Sequence, residues 1–334
     1  MIGAARPPHL EENMDITVIT SLVGAGLECE YLLLRALLQA QGHYVMGVHY
    51  TDLSCELHPS DITISLEVIS PRTLGLSREN WFAPNSEWYS PLNDRYLPQI
   101  SKILCKTKDC YHIWCRKVGP EKCVFTSFEA RDIYRPEVPR EVKFLHVAGK
   151  SEYKNTEAVC NAWRQGRLPH INPLPHLTIV ARAPVFDSQW SEDNPFPDKN
   201  VTHIARATDE EIIQLMNSHQ VHLIPSMYEG FGHVIHEALG CGGLVITTDA
   251  PPMNSYEGTT SLIPVYSRTP RALAQLHQVN PSAVNTVVRQ VAGMAWNQPD
   301  IVAAKSKAAR EAFLDNREFF RTTFMRMVDA VKSK

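Results

Sequence analysis

The chain has 334 residues, 44% of them hydrophobic and 21% charged, with a formal net charge of −3. That length suits two domains, each able to bury its own core. The mild negative charge gives no global drive toward nucleic acid or an anionic membrane, and no apolar run approaches the ~20 residues that span a bilayer. Eight cysteines are present without a Cys-x-x-Cys pair. Cys105, Cys110 and Cys115 recur at a spacing that does not share a helical face, so they read as small hydrophobes in a reducing compartment and no metal site is expected. Residues 1–13 hold Pro7, Pro8, Glu11 and Glu12 and lack the apolar stretch of a signal peptide, which predicts a disordered lead-in and a cytoplasmic protein.

Ile16–Thr20 reads as the first strand and Ser21–Gly26 as a small-residue loop. The next segment places Cys29, Leu32, Leu33, Ala36, Leu37 and Ala40 on one face of a helix capped by Gly42, and Tyr44–Tyr50 is the next strand. In this Rossmann-like start the Gly24-Ala25-Gly26 turn could face a diphosphate, although an ordinary tight turn accounts for it equally well. Asp61–Ile69 alternates apolar and polar residues as a strand does. Trp81–Tyr89 is dense in aromatic rings and reads as a loop that could stack on a sugar or base, or else as a satellite hydrophobic cluster. Lys102, Lys106, Lys108, Arg116, Lys117 and Lys122 form a basic run, usually the solvated face of a helix. Ile103–Lys106 reads as the last strand of this domain, with Cys123–Phe125 leaving it and Pro136 and Pro139 stiffening a linker.

The second domain begins with the strand Val142–Ala148. The turn from Gly149 to Asn155 follows, with a helix through Trp163 behind it. Lys150 and Lys154 at the mouth of this loop are placed to neutralise a diphosphate. Leu177–Val180 is another strand, Phe186–Asn200 a mobile loop, and Thr208–Glu211 a capping box for the helix bearing Ile212, Ile213, Leu215 and Met216. At the end of the chain Phe320, Phe324, Met327, Val328 and Val331 give one more helix a single apolar face.

The most informative stretch is Pro225–Asn254. A short apolar run, Val221–Ile224, is stopped by Pro225 and Ser226, and the Gly230-Phe231-Gly232 turn opens a helix carrying Val234, Ile235, Ala238 and Leu239. Gly240, Gly242 and Gly243 end that helix, and Leu244–Ile246 is the following strand. In a parallel sheet this places Glu229 and Glu237 at the carboxyl edge of the strands, where open α/β folds bind ligands. A glycine turn lets backbone N–H groups approach an anion at a helix N-terminus, while the carboxylates serve to accept hydroxyl hydrogens. An anion and hydroxyls in one ligand describe a phosphorylated sugar, such as a nucleotide sugar.

Glu229-Gly230-Phe231-Gly232 with Glu237-Ala238-Leu239, followed by Cys241-Gly242 and Thr248-Asp249, resembles the retaining glycosyltransferases of family 4. Asn85–Tyr89, Leu104–Thr107, Phe125–Ser127 and His146–Gly149 resemble a bacterial and phage-associated subgroup of that family. The resemblance implies an α/β GT-B fold of two Rossmann-like domains facing across a cleft, with a C-terminal helix crossing back to the first. The implied boundaries are an acceptor domain over 14–135, a linker over 136–141, a donor domain over 142–310 and the returning helix over 311–334. By the same resemblance Gly149, Lys150, Lys154, Gly230, Phe231, Gly232 and His233 line the donor diphosphate. Glu229 would hold sugar hydroxyls, Glu237 the ribose hydroxyls, and Arg206, on a strand end that often faces the nucleobase, the base. Ser255 departs from the family, which commonly has a glutamate there.

The reading is a retaining, metal-independent transferase using a nucleotide-diphospho-sugar, UDP- or GDP-linked, and an unidentified hydroxyl acceptor. Glu229, Lys150 and Lys154 are its catalytic residues, and it needs no bound cofactor. No Asp-x-Asp occurs, so lysines and a helix N-terminus take the place of a metal. His233 and His236 lack a third partner at metal-binding spacing. A second reading keeps the fold and makes a modified base in DNA the acceptor, motivated by the basic run and disfavoured by the net charge. A third is a non-catalytic module that binds sugar nucleotides.

Overall fold

The computed structural model describes residues 13–22, 25–52, 54–165, 174–182 and 200–333. They form two compact units, one running up to Glu129 and resuming at Glu318, the other covering Ala130–Arg317.

The first unit runs β1 (Asp15–Thr20), α1 (Ala25–Ala40), β2 (Tyr44–His49), β3 (Ser60–Leu66), β4 (Ser77–Ala83), β5 (Lys102–Cys105), α2 (Lys108–Val118) and β6 (Cys123–Phe125). These strands make one parallel sheet in the order β2-β1-β3-β4-β5-β6. The chain turns back on itself between β1 and β3, so the loops leaving those strands part to opposite faces and open a crevice at their carboxyl ends. Thr107 caps α2 by accepting from the Cys110 N–H at 3.0 Å.

The second unit runs β7 (Glu141–Gly149), α3 (Thr156–Gln165), β8 (Leu177–Ala181), β9 (Val201–Ile204), α4 (Asp209–Ser218), β10 (His219–Ile224), α5 (His233–Gly240) and β11 (Leu244–Thr248). β12 (Ser261–Ile263), the hairpin of β13 (Val265–Arg271) with β14 (Ala274–Val279), and α6 (Pro281–Asn297) follow. Its parallel sheet has the order β12-β11-β10-β7-β8-β9, which puts the switch point between β7 and β10. One face of the core packs Phe144 of β7 and Val221 and Leu223 of β10 with Val159 and Trp163 of α3 and Val284, Val288 and Val291 of α6. Thr208 and Glu211 close a reciprocal capping box on α4, as their spacing predicts.

The last helix, α7 (Pro299–Lys332), is shared, its first part lying in the second unit and its end in the first. Phe320, Phe324, Val328 and Val331 are buried, and Phe324 meets Trp81 edge-on at 6.1 Å. Arg321 reaches the buried Glu129 carboxylate at 2.7 Å.

Three expectations are corrected here. The buried face of α1 is Glu30, Tyr31, Leu34 and Leu38, whereas Leu32, Ala36 and Ala40 are exposed. That face carries Glu30 to Lys106, whose Nζ lies 2.6 Å from its Oε1 with both side chains buried. Lys106 is therefore no part of a basic surface. Lys117 pairs with Asp94 at 2.8 Å and Lys122 donates to the Leu97 carbonyl at 3.0 Å, so the basic run is largely consumed within the unit. Second, Trp81–Ala83 end a buried strand and are not part of a loop, while Tyr89 packs edge-on against Trp114 at 4.9 Å in a cluster with Phe82, as the satellite-cluster reading expects. Only Trp88 of that stretch stands out, 47% exposed. Third, β6 pairs with β5 and is the last strand of its sheet.

Candidate active site

The loops leaving β7 and β10 emerge on either side of the switch point in the second unit, where a parallel sheet binds ligands. The first runs from Gly149 (φ 59°) through a short 3-10 turn, Glu152–Lys154, to Asn155 in the left-handed region (φ 48°). The second runs from Pro225 to Gly232. Asn155 joins the two by donating its side-chain amide to the Pro225 carbonyl at 2.7 Å and to the His277 carbonyl at 3.0 Å. Two backbone bonds add to this, from Met227 N–H to Tyr153 O and from His277 N–H to Met227 O, both 2.8 Å. Thr248 donates to the Ser226 carbonyl at 2.7 Å, and Tyr256 donates to the Phe231 carbonyl at 2.7 Å.

Within this frame Lys154 and Glu229 form an ion pair through Nζ and Oε1. Ser226 donates its hydroxyl to the same Oε1, and Lys154 also lies 3.4 Å from the Ser226 oxygen. Both bonds to Glu229 fall on Oε1. Lys150 stands exposed on the same loop.

Gly232, with φ 87° and ψ 51°, is the N-cap of α5 and offers no side chain to its first turn. The leading N–H groups of a helix have no partner within it, so a backbone-only cap leaves them and the positive end of the dipole for an anion. A Cβ at Gly232 would come within 3.3 Å of the Tyr256 hydroxyl. Behind the loop His236 lies flat on Phe231, ring centroids 4.3 Å apart and 7° from parallel, and burial lowers its pKa to about 3. It is a neutral packing group, while His233 meets Phe231 edge-on at 5.1 Å.

Glu237 is buried one turn further along α5. Its Oε1 accepts from Arg131 Nε at 2.9 Å, and the same guanidinium reaches Asp209 Oδ1 at 2.7 Å. The two glutamates of the motif thus have different cations, Lys154 for Glu229 and Arg131 for Glu237. Arg206 is exposed in the turn between β9 and α4. Gly24 lies outside the described residues, Ala25 and Gly26 open α1 in the other unit, and the segment from Phe186 lies outside the described residues up to Asn200.

The sequence assigned no bonding role to Ser226, Asn155, Thr248, Tyr256 or Arg131. Ser226 adjoins the motif and could have been noticed. The others act across long chain separations and leave no local signal.

A glycosyltransferase from Rickettsia africae superposes with a TM-score of 0.67 over 96% of this chain and 99% of its own, at 13% identity. The fold is GT-B. Sucrose-phosphate synthase from Thermosynechococcus elongatus shares the GT-B architecture with a TM-score of 0.66, at 13% identity, over 96% of this chain and 100% of its own. The Anabaena protein HepE, in complex with UDP-glucose, matches with a TM-score of 0.61 at 15% identity, over 94% and 100%. Residues 193–268 match the model of the glycosyl transferases group 1 family. That span contains the GT-B loop Pro225–Gly232 with both motif glutamates, and excludes Lys150, Lys154 and Arg131. No curated protein matches by sequence. Among the described residues no helix is long and apolar enough to cross a membrane.

Proposed function

We propose that this protein is a retaining, metal-independent glycosyltransferase of family 4. It would move a sugar from a nucleotide-diphospho-sugar, UDP- or GDP-linked, to a hydroxyl acceptor. The observation that carries the reading is the Lys154–Glu229 ion pair between the two loops of the β7/β10 switch point, beside a helix whose N-cap is glycine. The group 1 match over this loop and the HepE complex with UDP-glucose support it.

In this reading the Ala130–Arg317 unit takes the donor and the other unit the acceptor. Lys154, Lys150 and the N–H groups at the start of α5 hold the diphosphate and stabilise the negative charge that grows on it as the bond to the sugar breaks, typically the largest contribution in such chemistry. Glu229 accepts hydrogen bonds from sugar hydroxyls, and Glu237, held by Arg131, from the ribose. The acceptor oxygen bonds to the anomeric carbon on the face the diphosphate leaves, and its proton passes to the departing phosphate oxygen. A lysine-and-backbone donor set of this kind can stand in for a metal.

The test is a thermal-shift screen of nucleotide sugars with the wild type and Glu229→Ala, because a ligand that binds only the native state raises its melting temperature. A selective rise for one donor, with transfer abolished by Glu229→Ala and an α-linked product by NMR from an α-linked donor, is expected. No shift with any donor, or full turnover by the variant, overturns the reading.

A further inference from the structure

The carboxyl edge of the first unit's sheet carries a buried polar cluster that the donor chemistry does not use. Glu67 directly follows β3, Asn85 follows β4 and Lys106 follows β5, while Thr20 ends β1 on the other side of that unit's switch point. Asn85 donates its amide to Glu67 Oε2 at 2.6 Å, and Lys106 donates to Glu30 Oε1 at 2.6 Å. The two pairs are close enough to act on one another: Glu67 is raised above the ordinary carboxylate range by burial, then lowered in part by Asn85 and Lys106 and raised again by Glu30. Among the described residues, Thr20 Oγ1, Asn85 Oδ1 and Ser86 Oγ at this edge are buried without a hydrogen-bond partner, and Thr20 and Ser86 are 0% and 2% exposed. Buried polar atoms are nearly always paired, and one that is not is destabilising until a ligand or water satisfies it. Glu67 also holds φ at +64°, where a side chain is disfavoured and which clusters at ligand sites.

We propose that this edge of the first unit binds a neutral, hydroxyl-rich ligand, a sugar without phosphate or carboxylate. Hydroxyl groups match both needs of the edge, since they donate to Asn85 Oδ1 and the carboxylates and accept from Thr20 and Ser86. An anionic ligand is opposed, because the carboxylates of Glu30 and Glu67 stand at this edge with Lys106 already paired to Glu30, and Glu87 is buried on the same segment as Asn85. The proposal deepens the glycosyl-transfer reading by assigning the acceptor to the neutral sugars, in preference to sugar phosphates or nucleic acid.

The experiment is ligand-observed NMR titration of the full chain with a panel of methyl hexopyranosides and the matching hexose 6-phosphates. Parallel titrations use Glu67→Gln, Glu67→Gly and Asn85→Leu, with UDP titrated into each variant and into Lys154→Ala. A methyl hexoside should bind about tenfold more tightly than its phosphate, the effect of one well-placed polar contact. Each variant at Glu67 or Asn85 should weaken the hexoside at least about tenfold and leave UDP unchanged. Glu67→Gly should keep or raise the melting temperature while losing the sugar, which a purely structural Glu67 would not do. Binding of no hexoside, equal or tighter binding of the phosphates, or unaltered hexoside binding in Glu67→Gln and Asn85→Leu overturns the proposal. Failure of UDP to bind the wild type refutes the donor reading and leaves hexoside binding to be judged on its own.

Discussion

Arg131 donates its Nε–H to Glu237 Oε1 at 2.9 Å and spans to Asp209 Oδ1 at 2.7 Å. A planar guanidinium can hold two carboxylates in fixed directions, which an ammonium cannot. Arg131→Lys should therefore raise KM for the donor about tenfold with a small change in kcat, while Arg131→Ala should also destabilise by roughly 1–3 kcal/mol through an unpaired buried carboxylate. Steady-state kinetics against donor, with thermal melts, check this. A donor KM equal to wild type in both variants would show that Arg131 does not position Glu237.

Lys154 and Glu229 share one oxygen-to-nitrogen contact and one neighbour, Ser226, so their substitutions should not add. Lys154→Ala is expected to lower kcat/KM by about 10²–10³, in the range of removing one preorganised donor to a developing anion. The double variant with Glu229→Ala should show a coupling of about 0.5–3 kcal/mol. Additive losses would mean that the two act in separate steps.

Four of the buried histidines in the second unit should make it acid-labile. Burial depresses the pKa of His146 and His219 to about 4, and of His222 and His236 to about 3. Each is neutral in the folded chain, and the unfolded chain takes up a proton near pH 6.5. Their stabilisation is thus complete above about pH 6.5 and lost as the pH falls toward 4, at up to about 1.4 kcal/mol per pH unit for each histidine. Urea titrations at pH 7.5, 6 and 5 should show a steep loss, and His222→Phe or His236→Phe should flatten it. A stability constant from pH 7.5 to 5 would contradict these assignments.

Gly232 takes a left-handed φ of 87°, and a Cβ there would press on Tyr256, whose hydroxyl holds the Phe231 carbonyl. Gly232→Ala should cost about 1–2 kcal/mol for the backbone alone and weaken UDP binding by shifting the cap of α5. Calorimetric titration with UDP measures both consequences if paired with a melt.

The Lys106–Glu30 pair is buried on both sides. Removing one charge leaves the other stranded, so Lys106→Met or Glu30→Leu should each destabilise by about 3–5 kcal/mol, whereas the double variant should recover most of that loss. Denaturant midpoints for the three variants decide it.

The sequence alone determined the alternation of strands and helices, the capping box at Thr208, and the glycine-framed loop with Glu229 and Glu237 at a strand's carboxyl end. These features are local: apolar period, cap chemistry and glycine spacing act within a few residues, and a short window contains their cause. Tertiary structure decided which face of α1 is buried: Tyr31, Leu34 and Leu38 go inward together with Glu30, whose partner Lys106 lies far along the chain. It also decided that Trp81 is core, since its cover, Phe324, comes from the far end of the chain. Lys154 was legible as a cation on a loop, but its meeting with Glu229 depends on Asn155 joining the loops of β7 and β10. Arg131 was invisible for the same reason. A guanidinium that reaches Glu237 from the start of the second unit has no sequence neighbour to announce it, and only the folded chain brings the two charges within bonding distance.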